Sequence, residues 1–128
     1  MSFPGHVEVE RRADGAVWVV VVHGDFDADC RPTIDEALAV VDRAARVIVD
    51  LTPARFIDSS VLGTLARHAR PDSRRADRVV IVAPPGGFPR KLIDASGLVE
   101  WTRIFGSTEA ALRAVGKPRP ERAAAGAA

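Results

Sequence analysis

The stretch "VIVDLTPARFIDSSVLGTLARHAR", residues 47–70, decides the fold. It begins as a short Val/Ile run of the kind found in strands buried on both faces. It crosses a linker containing Pro53, meets the apolar pair Phe56 and Ile57, and enters a helical pattern. Leu62, Leu65, Ala66 and Ala69 line one face of that pattern, and Pro71 stands just past its end. A buried strand that hands over to an amphipathic helix is the unit of an α/β sheet. At the handover stand Asp58, Ser59 and Ser60. One such side chain at a helix start caps a free backbone N–H. Capping accounts for one residue well, but not for three in succession. A serine here also suits phosphorylation, because a helix N-terminus tolerates the roughly −2 charge of a phosphate. Both readings stay open on local physics.

The same strand–helix alternation extends in both directions. Upstream, "HVEVERR" and "AVWVVVVHG" are strand-like runs separated by a turn at Asp14-Gly15, a hairpin signal. "DFDADCRPTIDEALAVVDRAAR" follows, with Pro32 early and Ile34, Leu38, Val41 and Ala45 at helical spacing, predicting a helix over about 31–45. Downstream, "DRVVIVA" is a strand stopped by "PPGG". "FPRKLIDASG" is a short helix capped by Gly97, "LVEWTRIF" a weak last strand, and "STEAALRAVG" a last helix with Ser107 as its N-cap. The expected fold class is α/β: one domain over residues 1–116, with a four- to five-stranded mixed sheet and about four helices packed on it. Residues 117–128, rich in Ala, Pro and charge without periodicity, read as a disordered tail.

Composition sets the outer limits. At 128 residues the chain is one domain's worth. A net charge of +1 gives no field that would draw the whole molecule to nucleic acid or an anionic membrane. The basic runs at 67–78 and 117–122 carry interspersed acids or prolines and read as solvated surface. The single cysteine, Cys30, excludes an intrachain disulfide and agrees with a reducing cytoplasm. No N-terminal stretch has the charged start, apolar core and cleavage site of a leader, and "AVWVVVV" is far too short to span a membrane.

The chemistry-bearing patterns mostly fail on inspection. A serine nucleophile needs a base, usually a histidine, and the chain has His6, His23 and His68. "DSSVLG" lacks the Gly-x-Ser-x-Gly elbow, since no glycine stands two residues before either serine. His68 lies among polar helix residues and reads as a surface histidine. Asp25, Asp27, Asp29 and Glu36 match positions one, three, five and twelve of a calcium loop, but Cys30 replaces the obligatory glycine and a strand precedes the loop. These acids decorate the strand end beside the first helix, bind a partner, or hold a metal; the first reading is preferred. "APPGGFPR" has no phosphate-cradle spacing and no Cys/His set has zinc-ligand spacing, so neither a cofactor nor a metal is expected.

Three stretches, taken together, resemble the signature of STAS domains, in particular bacterial anti-sigma factor antagonists. "VIVDLTPARFIDSSVLGTL" is similar to the family's strand ending in Asp-Leu, followed by an apolar pair and Asp-Ser-Ser-Gly-Leu-Gly. "VHGDFDADCRPTIDEAL" resembles its Gly-Glu-Leu-Asp motif and helix, and "KLIDASGLVEWTRIFGSTEAAL" its closing segment. The resemblance implies a non-enzymatic cytoplasmic regulator. It binds an anti-sigma factor of the serine/threonine kinase type, frees a sigma factor for transcription, and is reset by a phosphatase. It also implies that Ser59 is the phosphoacceptor, with Asp58 before it, Ser60 beside it and Asp27 nearby on the partner-facing surface. Val61 and Thr64 complete the expected docking surface. Val61 departs from the motif, which has Gly there, and Asp25 replaces the motif's Glu. The runner-up is a STAS module of another assembly, a stressosome-like scaffold or a transporter-associated partner, in which Ser59 is not used. A phosphate- or nucleotide-handling enzyme using Asp25 and Asp27 is disfavoured by the missing phosphate loop.

Overall fold

The computed structural model describes residues 3–12, 17–41, 46–69, 79–100 and 102–115. Its order is β1 (His6–Arg12), β2 (Val17–Phe26), α1 (Arg31–Ala39), β3 (Arg46–Asp50), β4 (Ala54–Ile57), α2 (Ser59–Ala69), β5 (Val79–Val82), α3 (Phe88–Ser96), β6 (Ile104–Phe105) and α4 (Thr108–Val115). Single 3-10 turns precede α1 (Ala28–Cys30) and follow α3 (Leu98–Glu100). The sheet runs β1-β2-β3-β5-β6, with β4 added to the far end of β2. Among the described strands only the β1–β2 pair is antiparallel, as the hairpin reading requires. Its turn, residues 13–16, lies outside the described residues, as does the expected tail.

The Val-rich strands are buried on both faces, which explains their lack of alternation. One face carries α1, α2 and α3 over Val20, Val22, Phe26, Val47, Val49 and Ile81. The other carries α4, whose Ala111 and Val115 cover Val17, Val19, Ile48, Val80 and Val82. Ser107 caps α4 as expected, its Oγ accepting from the Ala110 N–H at 3.2 Å. Gly97 ends α3 at φ +79°, the left-handed conformation that glycine adopts without steric penalty.

Three elements differ from the sequence reading. The segment taken as a linker before α2 is a strand, β4, parallel to the last residues of β2. Helix α1 ends at Ala39, and the chain bends so that Val41 still reaches the core while Val40 is exposed. The last strand shortens to two residues, because after Gly97 the chain first makes a 3-10 turn that buries Leu98. Thr102 Oγ1 then donates to Val79 O at 2.7 Å, bringing the chain to the edge of β5.

Candidate functional site

The site forms where β2 and β4 end side by side. Gly24, at φ +76°, interrupts the β2 register, and the pairing shifts between Gly24 and Asp25. The strand pairs with β3 as far as Val21 and with β4 from Gly24 onward, and the shift within this second pairing sets Phe26 opposite Ile57. A side chain at position 24 would press on Pro4 O, because the N-terminal segment crosses there. Asp58 N then donates to Phe26 O at 3.0 Å. This places Asp27, the next residue of β2's path, at the same sheet end as Asp58 and Ser59.

Asp58 is the N-cap of α2. Its Oδ1 accepts from the Ser60 N–H at 2.8 Å and from the Ser60 hydroxyl at 2.7 Å. Its carbonyl accepts from the N–H groups of Val61 and Leu62 at 2.9 and 3.3 Å. The Ser60 hydroxyl and then its N–H hold the Asp58 carboxyl below its ordinary pKa, and Arg31 adds a weaker pull. Two of the three successive polar residues are thus consumed by the cap. Ser59, the first helical residue, is exposed, and among the described residues its hydroxyl has no hydrogen-bond partner.

Other sequence-singled residues fall differently. Asp27 is exposed and caps the 3-10 turn, accepting from the Asp29 N–H at 3.0 Å. Asp25 Oδ2 accepts from the Phe3 N–H at 3.1 Å. Glu36 points from the exposed face of α1. Asp25 and Asp27 are held by backbone N–H groups, and among the described residues the four acids gather around no common point, so the calcium-loop spacing has no structural counterpart there. Val61 and Thr64 correct the expected docking surface. They are 0% and 1% exposed. Val61 packs in the main core, and Thr64 Oγ1 donates to Ser60 O at 3.3 Å. Val61 is out of a partner's reach while the core is intact, and Thr64, nearly as buried, borders a depression against α1 rather than the exposed edge of α2. His68 is partly exposed, and its Nε2 lies 2.8 Å from Asp35 Oδ1, joining α2 to α1.

The sequence reading missed the surface that replaces these two. A groove of about 630 Å³ runs between α2 and α3, with Ser59 at its rim and Leu62, Gly63, Leu92 and Leu98 among its lining. Gly63 is exposed in mid-helix, and a Cβ added there would meet nothing. Phe56 and Phe88 stand nearby in sequence to Ser59 and at the start of α3, exposed and stacked at 5.4 Å. The signals were present in the sequence as a glycine inside a helical pattern and a phenylalanine before a serine motif.

A family model described as "Mlab, STAS domain" matches residues 9–106, and the chain belongs to the STAS-domain family. This is a family of regulatory binding domains rather than enzymes. The fold is similar to that of an anti-sigma factor antagonist from Mycobacterium paratuberculosis, at 24% identity and a TM-score of 0.75, covering 91% of this chain and 100% of that one. It is also similar to the anti-sigma factor antagonist SpoIIAA in its unphosphorylated form, at 24% identity and a TM-score of 0.59, covering 91% and 100%. The phosphorylated form of the Bacillus cell fate determinant SpoIIAA matches at 24% identity and a TM-score of 0.54, covering 88% and 99%. No helix among the described residues is long and apolar enough to cross a membrane.

Proposed function

We propose that this protein is an anti-sigma factor antagonist. It binds an anti-sigma factor of the serine/threonine kinase type, so releasing a sigma factor, and is switched off by phosphorylation at Ser59. The observation that carries this reading is the division of labour at the start of α2. Asp58 and Ser60 are engaged in the cap, whereas the Ser59 hydroxyl is exposed and unpartnered. The likeness to SpoIIAA, solved with and without phosphate, supports the same assignment. The partner docks along the exposed edge of α2 and the groove beside it, over Ser59 and Gly63, with Asp27 and Asp58 at the margin.

A phosphate on Ser59 would add roughly −1.5 to −2 charge at the positive end of α2, which leaves the fold intact. It would stand next to the Asp58 carboxylate, which stays ionised, so the rim of the groove becomes strongly negative. A partner surface matched to the neutral hydroxyl then meets repulsion and a desolvation cost. A phosphatase would reverse the change.

Affinity capture with the unmodified full chain tests the partner class. Recovery of an ATPase-type kinase, lost when Ser59→Asp is the bait, supports the proposal. Recovery of other STAS proteins, with equal capture by Ser59→Asp, would instead make the chain a scaffold module in which Ser59 is not used.

A further inference from the structure

On the β1–β2 hairpin, away from Ser59, three side chains meet that the regulatory reading does not use. His6 and His23 are directly opposed in the antiparallel register. Their rings stack at 4.5 Å, within 2° of parallel. Glu8, two residues along β1, shares the face of His6 by strand alternation and sits diagonal to His23. One oxygen, Glu8 Oε1, lies 3.0 Å from His23 Nε2 and 4.0 Å from His6 Nε2. One donor atom from each residue falls within a set no wider than 4.8 Å, and no other such group of three occurs among the described residues.

His23 Nε2 supplies a second observation. The atom is shielded from solvent, yet the nearby Glu8 oxygen is not aligned with it as a hydrogen-bond partner. The Glu8 carboxylate offers that nitrogen a charge contact at 3.0 Å but no aligned hydrogen bond, so the lone pair of the neutral ring has no donor. A metal ion between the three side chains would use it.

We infer that His6, Glu8 and His23 form a binding site for a divalent transition-metal ion of the zinc class. Two imidazoles and a carboxylate form a donor set suited to zinc, and a water completes four-coordination. Metal–ligand bonds of roughly 2.0–2.2 Å set tetrahedral donor atoms about 3.3 Å apart. Side-chain rotations alone can close a set spanning 4.8 Å to that spacing, because His6 and Glu8 are each about 60% exposed and free to turn. The two rings must tilt out of their parallel stack so that both nitrogens face one point. The bound ion ties β1, which among the described strands pairs with β2 alone, across to its neighbour. A hard cation such as magnesium, which prefers oxygen donors, does not suit this set.

Isothermal titration of the full chain with ZnCl2 in a non-coordinating buffer tests the site, with MgCl2 as the control. The expected result is saturable binding of one zinc ion per chain and no binding of magnesium. His6→Gln and His23→Gln should each weaken zinc binding at least about tenfold. Cys30→Ser and His68→Gln, which remove the other soft or imidazole donors, should leave it unchanged. His6 is exposed, so His6→Gln retains the fold and decides the question even if His23→Gln does not fold. Absence of saturable zinc binding, full affinity in His6→Gln, or loss of binding in Cys30→Ser or His68→Gln would each overturn the assignment.

Discussion

At the scale of single residues, the start of α2 separates structure from signalling. Ser59→Ala should leave stability within about 0.5 kcal/mol, since an exposed unpartnered hydroxyl contributes little. Ser60→Ala should cost more, up to about 1 kcal/mol, because it removes the hydroxyl that donates to the Asp58 carboxylate at 2.7 Å. Asp58→Ala removes the cap itself and should lower Tm further than either serine change. Its effect is pH-dependent with a defined sign. The folded pKa of Asp58 is lowered, so its contribution is complete above the ordinary carboxylate range near pH 4 and is lost as pH falls through the lower folded value. Thermal melts of wild type and Asp58→Ala should therefore differ at pH 7 and converge on acidification. A gap that widens in acid would contradict the cap. That one of these residues was a cap could be read from the sequence. Which one could not, because Asp, Ser and Ser all accept from a helix N-terminus and only the folded geometry distributes the bonds.

At the scale of elements, helix α2 is a core element on one side and a presented edge on the other. Val61 stands where the family motif has Gly, and its side chain is fully buried. Val61→Gly should cost about 2–4 kcal/mol, through the cavity it opens and the poor helix propensity of glycine, as read by denaturant unfolding. The departure from the motif therefore bears on packing and not on direct contact with a partner. Gly63 poses the opposite case. Glycine in a helix interior costs roughly 1 kcal/mol relative to alanine, and no intramolecular crowding requires it here. Gly63→Arg should thus preserve or raise stability while weakening binding of the proposed kinase partner at least about tenfold, ~1.4 kcal/mol, in a binding titration. Undiminished binding by Gly63→Arg would move the docking surface off this edge. The helix and its apolar stripe were legible at 3.6-residue spacing. Strand β4 was not, because "ARFI" is four residues after Thr52-Pro53, too short for periodicity, and its partner is the far end of β2, some thirty residues upstream.

At the scale of the whole molecule, the sheet brings two distant stretches to one end. Continuous Val runs, the Asp14-Gly15 signal and alternating helical patterns were enough to read an α/β fold with a mixed sheet. The meeting of Asp27 with Asp58 and Ser59 is a consequence of the β2–β4 pairing, which no local pattern displays. The resemblance of three motifs to STAS domains suggested that meeting before the geometry explained it. Burial also redistributed the proposed surface: helical spacing identifies an apolar face but not how wide it is, so Val61 and Thr64 passed for surface residues. The central claim is that one hydroxyl in this cap motif is a switch while its neighbour is structural. The direct measurement is to incubate the protein with the anti-sigma factor kinase it captures and ATP, map the phosphate by mass spectrometry, and repeat with Ser59→Ala and Ser60→Ala. Phosphate on Ser59 alone, absent from Ser59→Ala and retained in Ser60→Ala, is the predicted result. Phosphate on Ser60, or full modification of Ser59→Ala, would contradict it.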